Sequence, residues 1–183
     1  ETIEVVEFLL SHETYGIESS FVREVYPLKD LTPLPCTPSF VFGIINVRGQ
    51  IISVLDIKKF FDLPEKGLGD LNKVIILRNE DMEFGILADV ILGVRYIHLA
   101  GLQPSLPTLT GIREDYLKGR PKPKGDLGAV SNFSGWFEEA SREALGVYTP
   151  EVESFLNETH PGYRGREDYT FTGRGRIASR AAW

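Results

Sequence analysis

The chain has 183 residues, 42% of them hydrophobic and 25% charged, which suits one domain with a buried core, or one domain plus an extension. A formal net charge of -6 argues against nucleic acid or an anionic membrane as the main partner. The single cysteine, Cys36, excludes an internal disulfide and a zinc cluster, no apolar run approaches the roughly 18–20 residues of a membrane span, and no secretory signal is legible, so a cytoplasmic location is expected.

Glu4–Leu10 alternates and predicts a strand; Ser11–Gly16 reads as a turn. Ile17–Val25 mixes apolar and polar residues and predicts a short helical turn, then a strand through Val22, Val25 and Tyr26. Prolines 27, 33, 35 and 38 force an extended passage. Phe40–Asp56, FVFGIINVRGQIISVLD, reads as a short apolar segment, Gly43, a strand, a tight Arg48-Gly49 turn and a second strand over Ile51–Leu55. Asp56 suits the cap of a short helix through Lys58, Lys59, Phe60 and Phe61. Leu63–Leu71 is a loop. Lys73–Arg78 and Met82–Ala88 form a hairpin about Asn79-Glu80-Asp81, and Asp89–Ile97 is a third strand kinked at Gly93. Leu99–Gly111 is a long loop, and Ile112–Leu117 a last short element. Many short strands with regular turns predict a mostly β barrel or sandwich.

Arg120–Gly125, RPKPKG, reads as a basic, proline-containing linker. Two helices are predicted beyond it. The first, near 132–145, has Ser131 as cap, a stripe of Phe133, Trp136, Phe137, Ala140 and Ala144, and Gly146 as stop. The second, near 150–159, has Thr149 as N-cap, Pro150 at the first position, and Val152, Phe155 and Leu156 on one face. After Gly162 the Gly/Arg-rich sequence has no periodicity and predicts disorder. The acidity belongs to residues before Arg120; the remainder is neutral, which argues against nucleic acid despite its RPKPKG and GRGR segments.

No GxGxxG, P-loop, HExxH, GxSxG or paired-Cys motif occurs, so no catalytic site, metal or cofactor is expected. Asp56 and Asp89 each follow an apolar strand and read as a carboxylate pair or, more cheaply, as a helix cap and a turn residue. His98 reads as a partly buried structural histidine, His12 as a turn residue, and Cys36 as a small filler between prolines. Arg48 either solvates a hairpin loop or uses the turn as a rigid platform to present its guanidinium.

Five segments occur in a particular order: VVEFLL at Val5–Leu10, TYGIESSFVREV at Thr14–Val25, TPLPCTPSFVFGIINVRGQIISVLDIKKFF at Thr32–Phe61, VIILRNEDMEFGILADVILGV at Val74–Val94 and IREDYLKG at Ile112–Gly119. This set resembles the CheW family of chemotaxis coupling proteins, with NVRG as its most specific part. The resemblance implies two SH3-like five-stranded barrels side by side over residues 1–119. It implies an adaptor that links the cytoplasmic tip of methyl-accepting chemoreceptors to a CheA-type histidine kinase. The receptor site is then the groove between the barrels, with Arg48, Gly49, Asn46, Gly43, Val22 and Glu24 as its candidate residues; Val22 reads equally as core. The kinase-facing residues stay unassigned.

The family pattern stops at Gly119, where one more apolar strand and a short helix are expected; Gly128–Asn132 reads as too short and polar to be that strand. Residues 120–183 are therefore an atypical tail: a docking extension, a cover for the open sheet edge, or the product of a shifted reading frame. Two other readings stay open. One is a CheW-like regulatory module of a larger kinase or CheV-type protein; the other is an unrelated β-barrel enzyme.

Overall fold

The computed structural model describes residues 1–11, 13–35, 37, 39–61, 63–64, 67–78, 83–103, 117–121, 129–131 and 150–159. Its strands are β1 (Thr2–Leu10), β2 (Glu13–Glu18), β3 (Val22–Pro27), β4 (Val41–Val47), β5 (Gln50–Leu55), β6 (Lys73–Arg78), β7 (Glu83–Ala88), β8 (Val90–His98), β9 (Leu102–Gln103), β10 (Leu117–Pro121) and β11 (Ala129–Ser131). Two helices accompany them, α1 (Lys58–Phe61) and α2 (Pro150–Thr159), with 3-10 turns at Ser19–Phe21 and Leu99–Gly101. The strands make two sheets, one in the order β8-β1-β2-β11-β10-β9 and one in the order β3-β6-β7-β5-β4. The fold is thus mostly β, built on two small sheets, as expected; the first sheet has a sixth member because the two-residue β9 joins it.

The five-stranded sheet closes on itself. The chain leaving edge strand β3 runs to Thr32, which exchanges backbone hydrogen bonds of 2.9 and 2.8 Å with Ile44 on the opposite edge strand β4. Both faces of this sheet are buried, which explains why VIIL and IISVL run apolar without alternation. Ile45, Val47, Ile52, Val54, Val74, Ile76 and Leu87 fill the inside. Ile44, Ile51, Leu55, Ile75, Leu77 and Ile86 point the other way, into a core shared with Phe8, Leu10, Tyr15 and Ile17 of the first sheet. That shared apolar core holds the sheets together.

Three expectations change. The turn read over Ser11–Gly16 is shorter, because β2 already begins at Glu13: Tyr15 and Ile17 are buried in the shared core, and pairing with β1 extends the ladder down to Leu10↔Glu13. Thr14, Gly16 and Glu18, which alternate with them, sit on the opposite face of the pleat. Second, the short Ala129–Ser131 segment is a strand after all. It lies between β2, which it pairs in parallel, and β10, which it pairs antiparallel. A strand with a partner on each side is held by two ladders of backbone bonds, so it does not need an apolar run of its own. Third, β10 carries Arg120 and Pro121 beyond Gly119, so the sheet takes in the first residues of the expected linker.

Of the other short elements, the 3-10 turn Leu99–Gly101 and β9 fall inside the expected Leu99–Gly111 loop, because β9 pairs with β10, and the following lie where the sequence places them. A 3-10 turn leads into β3, and β8 is irregular at Gly93, where its pairing with β1 shifts register between Glu7 and Phe8. Helix α2 matches the predicted second tail helix, and Leu156 is wholly buried in the shared core with Phe155 packed against it. The predicted helix near 132–145, the tail beyond Thr159, His12, Cys36 and His160 lie outside the described residues.

Candidate functional site

The β4–β5 hairpin is joined by two residues only, Arg48 and Gly49, with Val47 paired to Gln50. Both carry positive φ, 50° and 85°, the mark of the type I′ turn that matches the twist of paired strands. Glycine adopts that conformation freely; arginine does not, so Arg48 is held there by the hairpin. The Asn46 side-chain Oδ1 accepts a 2.9 Å hydrogen bond from the Gly49 N–H and ties the turn from beneath.

Arg48 then projects from a fixed point. Its Nη2 donates to Oε2 of Glu24 on β3 at 2.5 Å, and the side chain is still 64% exposed. The hydrogen bond it donates to Glu24, and then the charge of Glu24, hold the guanidinium above its usual pKa. Behind this pair, Arg23 on β3 binds the Glu83 carboxylate, and its Nη1 donates to Gln50 Oε1 at 3.0 Å. One end of the five-stranded sheet thus carries a lattice of alternating charges, with Arg48 as its outermost member.

Four of the six residues expected at the site, Arg48, Gly49, Asn46 and Glu24, come together here. The other two do not. A Cβ on Gly43 would lie 2.7 Å from the Thr32 carbonyl oxygen and 3.1 Å from Leu31 Cγ, so this glycine serves the close backbone approach that closes the sheet. Val22 is half-buried and packs against the shared core.

A second feature was not legible in the sequence. Edge strand β8 exposes Val94 (60%) and Tyr96 (69%), which pair with Val6 and Glu4 of β1. Paired residues share a face of the sheet, so Val94 and Tyr96 stand on the face that buries Val6 and Phe8 in the shared core. On the other sheet, edge strand β3 exposes Val25 (41%), whose pairing with Ile75 places it on that same core face. Each sheet therefore presents an exposed apolar edge continuous with the core between them. Single exposed apolar residues are ordinary; these three share the side that each sheet turns toward the common core. Tyr96 also donates its hydroxyl to Glu4, whose carboxylate is bonded by Ser19 and Tyr96 and held below its usual range, while that bond holds the phenol above its own. The alternation of VILGVRYIH suggests a strand, but only the pairing tells which face is covered.

Asp56 and Asp89 are both buried, and each has a structural role. Asp56 Oδ1 accepts from the Lys58 N–H at 3.2 Å, as a cap of α1. Asp89 accepts from Lys58 Nζ at 3.2 Å and from the Ser11 N–H at 2.6 Å. His98 is exposed rather than partly buried, because it ends edge strand β8; its Nδ1 lies 3.1 Å from Thr2 Oγ1. Among the described residues no group of three or more His, Cys, Asp or Glu is placed to hold a metal ion. None of the described helices is long and apolar enough to cross a membrane.

Comparison with known proteins agrees with this geometry. Residues 4–132 match the CheW-like domain family, which takes in β11 as well as the segment up to Gly119. The chain is 37% identical over 123 residues to the chemotaxis protein CheW of Treponema pallidum, covering 65% of this chain and 72% of that protein. It is 33% identical over 133 residues to the protein FrzA of Myxococcus xanthus, covering 71% and 82% respectively. The crystal structure of the scaffolding protein TtCheW from Thermoanaerobacter tengcongensis superposes with a TM-score of 0.66 at 30% identity, over 73% of this chain and 86% of that one. With two sheets joined by a shared core, the NVRG hairpin at one end and a family match over most of its length, the chain belongs to the CheW-like domain family.

Proposed function

We propose that this protein is a non-catalytic cytoplasmic adaptor that couples membrane chemoreceptors to a CheA-type histidine kinase in chemotaxis signalling. The observation that carries this reading is the rigid presentation of Arg48. An exposed guanidinium is fixed on a two-residue turn, and it stands on the sheet whose edge also offers Val22 and Val25. A receptor tip in this family is a helical hairpin. A helix laid along the seam would set its apolar face against Val22, Val25, Val94 and Tyr96 and offer carboxylates or carbonyls to Arg48. The names of the relatives, chemotaxis protein CheW and scaffolding protein TtCheW, support the same reading. Such a protein acts by position: it binds two partners at once and links their equilibria.

The test is a binding titration of the full chain with a receptor-tip helical hairpin and, separately, with a CheA-type kinase regulatory domain. Both should bind. Arg48→Glu should weaken the hairpin and spare the kinase domain, because a reversed charge repels receptor carboxylates while leaving the turn intact. Unchanged hairpin binding would remove Arg48 from the site, and binding of neither partner by the wild-type chain would remove the adaptor reading.

A further inference from the structure

The two sheets meet through apolar contacts, which are strong but not directional. Such a core holds two bodies together without by itself selecting the angle between them. Directional contacts are needed for that, and one set stands at the point where the chain returns from the five-stranded sheet to the first.

That point is Asp89, the single residue between β7 and β8. It is only 6% exposed, and its N–H and both carboxylate oxygens are engaged. Its N–H donates to the Leu9 carbonyl of β1 at 2.9 Å, and its Oδ2 accepts from the Ser11 N–H at 2.6 Å, both in the first sheet's β1 and the turn that follows. Its Oδ1 accepts from Lys58 Nζ of α1 at 3.2 Å and from Asn72 Nδ2, ahead of β6, at 3.3 Å. One carboxylate thus grips the first sheet with one oxygen and the flank of the second with the other. The surroundings reinforce it. Asn72 is anchored by its own bonds to the Ala88 carbonyl at 3.2 Å and from the Gly69 N–H at 2.6 Å, and Ser11 Oγ donates to the Pro64 carbonyl at 2.5 Å.

We propose that Asp89 is a positioning residue: with Lys58, Asn72 and Ser11 it forms a polar clamp that sets the angle between the two sheets and so the spacing of the apolar edges on β3 and β8. The clamp touches none of the groove residues. Lys58 is 2% exposed, and replacing such a buried ion pair by apolar residues of similar size is often neutral for stability. Stability therefore does not explain why a charged pair stands there, whereas orientation does. The consequence for partner binding rests on the reading of the seam as the receptor site; the consequence for geometry does not.

The test uses the full chain with Cys36→Ser and nitroxide labels at Arg78→Cys on β6 and Leu92→Cys on β8, read by pulsed electron–electron distance measurement. The variant is Lys58→Met with Asp89→Leu, which keeps the volume and removes the clamp. The expected result is native circular dichroism, a shifted or broadened distance distribution, and receptor-hairpin binding weakened about tenfold in the unlabelled variant. A distribution identical to wild type overturns the proposal. A broadened distribution with unchanged affinity upholds the clamp and overturns the seam as the receptor site. Asp89→Asn, which keeps the shape, removes the charge and turns one of the two accepting oxygens into a donor, provides the same readout if the double variant does not fold.

Discussion

Glu24 stands on edge strand β3 and Arg48 in the turn that leaves the opposite edge strand β4, yet their side chains meet at 2.5 Å. Only a closed sheet allows this, and the Thr32–Ile44 bridge is the backbone counterpart of the same closure. The pair spans the seam of the barrel, but it does so in water. An exposed ion pair contributes little to stability, because solvent screens it and two long side chains must be ordered.

Removing the anion should therefore leave the fold in place. Glu24→Gln is expected to leave stability close to wild type, measured by urea denaturation with an unchanged slope. The nitrogen spectrum of the Arg48 side chain should move toward that of a free arginine, since Glu24 is the main cause of its raised pKa. A loss of several kcal/mol would show that the pair closes the sheet, which the backbone bridge argues against.

Gly43 is expected to behave in the opposite way. Gly43→Ala drives a Cβ against the Thr32 carbonyl oxygen, and backbone is slow to yield. The cost should be about 1–3 kcal/mol, from overpacking and from the strained Thr32–Ile44 bridge. At temperatures where the variant is folded, affinity for the receptor hairpin should equal that of wild type. A selective loss of affinity at full stability would return Gly43 to the binding surface.

The tail contributes to the core through Leu156. Leu156→Ala should cost about 2–5 kcal/mol in thermal or denaturant unfolding, as for other wholly buried leucines, whereas the exposed neighbour Asn157→Ala should cost less than about 0.5 kcal/mol. Equal, small effects at both positions would show that α2 does not stabilise the two-sheet body.

The Glu4–Tyr96 hydrogen bond predicts a pH window. The Glu4 carboxyl is held below its usual range, so its contribution is present above the unfolded carboxyl pKa and is lost as pH falls through the lower folded value. The Tyr96 phenol is held above its usual range, so its contribution is present below the unfolded phenol pKa and is lost as pH rises through the higher folded value. Carbon NMR titration should find Glu4 ionising below, and Tyr96 above, the free amino acids. Glu4→Gln should bring Tyr96 back toward the ordinary value. An unaltered Tyr96 titration in that variant would show that the bond is not populated in solution.

Much of the architecture is legible from the chain alone, for local reasons. The Arg48-Gly49 turn between two apolar runs specifies a hairpin, because few backbone geometries join paired strands in two residues. The Asp56 cap and the Pro150 helix start follow from the chemistry of orphan backbone groups, which is also local. Ala129–Ser131 was misread for the converse reason. Its sequence is a weak strand signal, and two neighbours far away in the chain make it a strand.

The candidate site divides along the same line. The turn is legible in four consecutive residues, Asn46 to Gly49, but on the residues alone Arg48 reads equally as a solvated loop arginine, and only the family resemblance makes Arg48, Gly49 and Asn46 site candidates. That Glu24 meets Arg48, that Gly43 lies against the Thr32 backbone, and that Val25, Val94 and Tyr96 lie on the core-facing sides of their sheets were decided by tertiary structure. Each depends on which strands pair and in what register, and a shift of one residue turns every side chain to the other face. The same holds for Asp89, an ordinary turn residue in the sequence. Its role as a buried link between two sheets exists only because the packing of those sheets brings Ser11, Lys58 and Asn72 around it.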